Sequence, residues 1–115
     1  MIDKIGIGID LVKVSMFNSL PYDSNKNFYT KIFTNSEIKY CLKFSNPYQH
    51  FSGKFAIKEA VQKSILDKIP ILHIITDHKN SIPTVKIKNN QKYSFKISLS
   101  HEDEYAVAVV ISEKI

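Results

Sequence analysis

Hydrophobic and polar positions divide the chain into an opening strand, a helical middle and a closing run of strands. Residues 3–12 alternate: Ile5, Ile7 and Ile9 face one way, and Gly6, Gly8 and Asp10 the other. This predicts a core strand. Its glycines either permit close packing or leave room for a ligand or metal beside the carboxylate. Residues 16–33 read as irregular or short helical structure around Pro21. Thr34-Asn35-Ser36-Glu37 is a capping box, so a helix is predicted through Ile38, Tyr40, Cys41 and Leu42. Asn46-Pro47 opens a longer helix reaching about Leu66, and Lys68-Ile69-Pro70 breaks it.

Three or four strands follow. Residues 71–76 are a dense apolar run, and Pro83 opens the alternating TVKIK. Asn89-Asn90 suits a hairpin turn, leading to a strand over 93–99 with Tyr93, Phe95, Ile97 and Leu99 on one face. Residues 104–112 place Tyr105, Val107, Val109 and Ile111 on one face and Ala106, Ala108 and Val110 on the other. Two apolar faces predict that both are covered, one by a neighbouring subunit. The order β-α-α-β-β-β-β is that of an α+β domain spanning 1–115, with no linker or repeat to split it.

Charged residues inside the long helix change this picture. On an ideal helix Ser52, Glu59 and Lys63 fall within about 40° of one another, with Lys54 and Lys58 on a second flank. Phe51, Phe55, Ala56, Ala60, Val61 and Ile65 spread around the rest, so the helix is predicted to be buried on more than one side. A plain Glu59–Lys63 helix pair accounts for two residues only. It leaves Asp10, at a strand end, and His101, which follows Ser98-Leu99-Ser100, without a role. Two separated carboxylates can share a hard cation such as Mg²⁺, and lysines beside them can hold phosphates. His50, His73 and His78 show no metal-ligand spacing and receive no assignment.

Composition narrows the partners. The net charge is +5, and all sixteen basic residues are lysine. That suits an acidic partner, while the lack of arginine forks argues against reading of base edges. Cys41 stands alone, excluding an intrachain disulfide and suiting a reducing cytosol. Its surroundings fit a packed hydrophobe better than a nucleophile. The N-terminal apolar stretch is short and interrupted by Gly8 and Asp10, so no secretory leader is predicted; no apolar run reaches membrane-spanning length.

Four blocks in order, GIGIDLV, FTNSEIKYC, FSGKFAIKEAVQK and SLSHEDEYAVAVVI, resemble the short bacterial holo-acyl-carrier-protein synthases of the 4'-phosphopantetheinyl transferase family. The resemblance runs almost end to end. It implies an antiparallel sheet packed around a long helix. It places metal-binding carboxylates at Asp10 and Glu59, a coenzyme A phosphate ligand at Lys63, and a residue near the nucleotide at His101. The implied reaction transfers 4'-phosphopantetheine from coenzyme A to a serine of acyl carrier protein, with Mg²⁺ as cofactor. The family also implies a homotrimer with active sites between subunits, and the lone cysteine adds the expectation of a cytoplasmic setting. Asp10 and Glu59 are both candidates to accept the serine proton, and the sequence does not separate ligand from base.

The chain departs from the family in three places. Met16 stands near the position of a usual arginine, Ser64-Ile65-Leu66-Asp67-Lys68 replaces a glycine-containing loop, and Ser81-Ile82-Pro83 replaces Gly-Lys-Pro. The alternative reading is therefore a non-enzymatic module that binds carrier protein or nucleotide on a degenerate transferase fold.

Overall fold

The computed structural model describes residues 4–115; the expected strand start at Asp3 lies outside the described residues. Strand β1 (Ile5–Lys13) is followed by helices α1 (Ser15–Asn18), α2 (Lys26–Thr30), α3 (Asn35–Leu42) and α4 (Pro47–Ser64). Strands β2 (Ile74–Lys79), β3 (Ile82–Ile87), β4 (Tyr93–His101) and β5 (Tyr105–Lys114) complete the order. Two antiparallel sheets result: β1-β5-β4, and the ribbon β2-β3. The α+β expectation and the antiparallel sheet around a long helix both hold.

Helix α4 lies across the inner face of the larger sheet. Ala106, Ala108 and Val110 are fully buried there, and small side chains let the helix approach closely. On β1 the glycines take this contact to its limit. A Cβ on Gly6 would come within 1.7 Å of the Ser64 carbonyl oxygen. Of the two readings of these glycines, close packing is therefore the correct one; helix backbone fills the space a ligand would need. Beneath α1–α3, Phe17, Tyr29, Phe33 and Phe51 form a buried aromatic cluster, in which the Tyr29 hydroxyl donates to the Leu20 carbonyl at 2.8 Å.

The isoleucines of β1 point away from this core. Ile7 is 68 % exposed and Leu11 64 %. They lie in register beside the outer residues of β5, with Ile7 opposite Ile111, Ile9 opposite Val109 and Leu11 opposite Val107. One face of β5 is thus covered by α4, whereas its other face continues an apolar surface open within the chain.

Several boundaries differ from the sequence reading. Helix α4 stops at Ser64, and a 3-10 turn over Ile71–His73 precedes β2, so the apolar run starts as a turn. The hairpin lies elsewhere too. Asn89 does adopt a left-handed φ of 57°, but β3 does not pair with β4. The tight hairpin joins β2 to β3 through Asn80 and Ser81, whose φ angles are 53° and 65°. Both central residues of such a turn must be left-handed, which asparagine tolerates and serine does not advertise.

Candidate active site

Strand β1 presents Asp10 toward α4, in register with Ala108. The last turn of α4 brings Lys63 to it: Lys63 Nζ donates to Asp10 Oδ1 at 3.0 Å and to the Ile9 carbonyl at 3.1 Å. Asp10 is mostly shielded, at 15 % side-chain exposure, while Lys63 is 54 % exposed. One helical turn earlier is half-buried Glu59. Burial first, and then the neighbouring Asp10 charge, raise the Glu59 carboxyl above its usual range, with Lys63 opposing them. The structure thus gathers three of the predicted residues, Asp10, Glu59 and Lys63. The plain Glu59–Lys63 pair is not what forms: Lys63 reaches across to β1.

Two carboxylates facing one ammonium leave a surplus negative charge. Among the described residues, no group of three His, Cys, Asp or Glu side chains converges to hold a metal unaided. Mg²⁺ suits such a place, because it is commonly held by one or two carboxylates together with substrate phosphate oxygens and water. Asp10 and Glu59 have the right donor chemistry for it.

The remaining predicted residue lies in a second hollow. His101, at the end of β4, packs edge-on against His50 of α4 with centroids 5.1 Å apart. The hollow is also lined by Tyr40, Lys54, Thr76, Asp77 and His78. Lys54 is only 4 % exposed. Its ammonium donates to Thr76 Oγ1 at 3.1 Å and sits 4.6 Å from the centre of the Tyr40 ring. The Nδ1 atoms of His78 and His101 are buried without a hydrogen-bond partner among the described residues. His50, stacked on Phe44 at 3.6 Å, is pushed down to about 4 by burial, followed by the fields of His101, His78 and Lys54.

Behind this hollow lies the buried carboxylate of Glu37. Its Oε1 accepts from Lys58 Nζ at 2.8 Å and from the Thr34 amide at 2.8 Å; its Oε2 accepts from the Thr76 amide at 2.9 Å and the Thr76 hydroxyl at 2.6 Å. Lys58, fully buried, also donates to the Ile32 carbonyl at 2.8 Å. Two buried lysines thus meet one buried carboxylate, with Asp77 as a second, exposed acid at the hollow. The sequence identified Thr34 and Glu37 as a capping box but carried no sign of the partners that β2 brings. His50, Lys54 and His78 were likewise illegible as a group, since they converge only when the ribbon lies along α4.

Two other residues are structural. Ser52, on the Glu59 side of the predicted wheel, is buried and donates to the Tyr48 carbonyl at 2.7 Å. Burial pushes the Cys41 thiol up to about 12, so it packs as the inert hydrophobe its surroundings suggested.

With this geometry in place, comparison with known proteins identifies the class. Residues 6–110 match the 4'-phosphopantetheinyl transferase superfamily, and the chain belongs to that superfamily. Similar curated relatives include the holo-[acyl-carrier-protein] synthase of Thermodesulfovibrio yellowstonii, 36 % identical over 92 % of this chain and 96 % of that one. The synthase of Chloroherpeton thalassium is 35 % identical over 93 % and 96 %. Among solved structures, a holo-(acyl-carrier-protein) synthase of Bacillus anthracis in complex with CoA (3',5'-ADP) superposes with a TM-score of 0.81 at 25 % identity, covering 96 % of both chains. The Helicobacter pylori holo-[acyl-carrier-protein] synthase in complex with coenzyme A gives 0.79 at 26 % identity, covering 93 % of this chain and 99 % of that one.

Proposed function

We propose that residues 1–115 act as one domain that transfers 4'-phosphopantetheine from coenzyme A to a serine of apo-acyl carrier protein, releasing 3',5'-ADP. The reading matches the activity for which the relatives are named. The observation that carries it is the meeting of Asp10, Glu59 and Lys63 at the β1–α4 contact. Asp10 and Glu59 would hold Mg²⁺ there, which when bound supplies charge neutralisation and orientation to the diphosphate oxygens.

The chain's own groups divide the remaining work. Glu59 and Asp10 are both candidates to accept the proton of the serine hydroxyl, and burial favours the protonated form of Glu59. The serine oxygen then bonds to the phosphorus that carries pantetheine, and the bond from that phosphorus to the ADP oxygen breaks. Lys63 faces the diphosphate. The Lys54 ammonium offers a donor to a further phosphate of coenzyme A, with His101 and the imidazole edges of His50 and His78 completing the wall of its hollow. Exposed Lys13 and Lys39 offer an acidic carrier protein a long-range attraction.

The open apolar face of β1 and β5 supports assembly with further copies, and the family resemblance supplies the number three. In one chain His101 and Glu59 belong to different hollows, and a trimer would let one subunit's His101 serve another subunit's Glu59. Among the described residues no helix is long and apolar enough to cross a membrane. The free, buried Cys41 suits a cytoplasmic setting. The deciding experiment is intact-protein mass spectrometry of apo-acyl carrier protein incubated with coenzyme A, Mg²⁺ and this protein. A gain of one phosphopantetheine mass is expected. No gain, while a known synthase modifies the same carrier, would leave only a binding module.

A further inference from the structure

Lys63 binds the same carboxylate that a metal would use. Its ammonium stands 3.0 Å from Asp10 Oδ1 and is fixed by a second bond, 3.1 Å long, to the Ile9 carbonyl. A divalent cation on Asp10 would meet this ammonium at close range, and two cations sharing one carboxylate repel. Lys63 is half-exposed on the last turn of its helix, so it can swing away, whereas Asp10 is fixed in a strand paired along its whole length.

We infer that Lys63 is the counter-cation of Asp10 in the free protein and competes with the metal for it, so that metal and diphosphate favour each other's binding. A metal arriving alone must displace the lysine into water. A metal arriving with a diphosphate displaces it onto phosphate oxygens. The two ligands are therefore linked through one side chain, and the linkage must act equally in both directions. The scarcity of protein ligands points the same way. With two carboxylates and no third acidic or imidazole group converging among the described residues, the metal's coordination relies on oxygens that the substrate brings. This inference rests on the metal reading of Asp10 and Glu59 but needs no turnover to test.

Mn²⁺ is the probe, with its free concentration followed by electron paramagnetic resonance in nucleotide-free protein. Lys63→Met should bind Mn²⁺ about tenfold more tightly than the unmodified protein, the size expected when one positive charge is removed beside a divalent site. Lys63→Arg, which keeps the charge, should stay near the unmodified affinity. Lys13→Met, on the opposite face of β1, controls for the general field and should change affinity less than about twofold. Circular dichroism establishes that each variant is folded, and Lys63→Gln replaces Lys63→Met if that one is not. Equal or weaker Mn²⁺ binding by the neutral variant overturns the inference, as does an equal gain in Lys13→Met. No Mn²⁺ binding by any of them, with coenzyme A present as well as absent, defeats the metal reading itself, an outcome distinct from a failure of linkage alone.

Discussion

Gly8 lies directly beneath the backbone of Ala60: a Cβ built on it would come within 1.9 Å of the Ala60 carbonyl oxygen. Helix backbone cannot yield as a side-chain tip would. Gly8→Ala should therefore destabilise the protein by about 3 kcal/mol or more, the upper range for overpacking. Urea denaturation measures this. Because the same contact sets Asp10 against Glu59, transfer by whatever folded protein remains should fall as well.

Glu59→Gln should separate chemistry from stability. The raised carboxyl means that the fold favours the protonated form, so the stability Glu59 contributes at low pH is lost as pH rises through its raised value. At pH 7 the charge is a burden on the fold, and the amide relieves it. We expect equal or slightly higher stability, with transfer reduced by at least about a hundredfold. Near-normal transfer at limiting Mg²⁺ would remove Glu59 from the proposed site.

Glu37→Gln should do the reverse. Burial opposes ionisation, but Lys58, Thr76 and Thr34 together hold the Glu37 carboxyl below its usual 4.5. Its contribution is present above that value and lost as pH falls through the lower, folded one. Breaking the pair strands Lys58 without its counter-charge, a loss of about 3–5 kcal/mol. Denaturation from pH 3 to 7 should show a large loss at neutrality and a flatter acid limb than the parent.

The outer sheet face can be tested by charge. Ile7→Asp combined with Leu11→Asp should convert an associated protein to monomers at micromolar concentration while leaving the inner core intact. Sedimentation velocity reads the outcome. Monomers that keep full transfer activity would rule out a site shared between subunits.

The two basic surfaces should respond differently. Lys54→Met should weaken coenzyme A binding by about tenfold or more, as expected for a lost charge-assisted contact, with little dependence on salt. Lys13→Ala and Lys39→Ala should slow association with carrier protein, and added salt should erase the difference. Calorimetry and stopped-flow mixing measure the two separately.

Features written in local sequence were legible. The alternation of β1, the Thr34–Glu37 cap and Pro47 in the first turn of α4 each follow from neighbours within a few residues. The order of the elements and the carboxylates Asp10 and Glu59 were also within reach. What escaped depends on contacts between distant segments. Nothing in the spacing says that Asn89 turns the chain away from pairing, because its partner choice is made by β5. The outward aim of Ile7 was hidden for the same reason. Alternation shows that two faces exist, but only glycines pressed by a helix show which one is inside. The cluster around Lys54 required β2 to be in place.

Glu37 has one further consequence. Its two oxygens tie the start of α3, the middle of α4 and strand β2 to a single group. A ribbon of two short strands would ordinarily be the first part of a fold to breathe. Here its opening would strip both Thr76 bonds from the buried Glu37 carboxylate and take from the buried Lys54 ammonium its bond to the Thr76 hydroxyl. The ribbon should therefore open only with the helices, and the Thr76 amide should exchange its hydrogen no faster than the amides at the centre of α4.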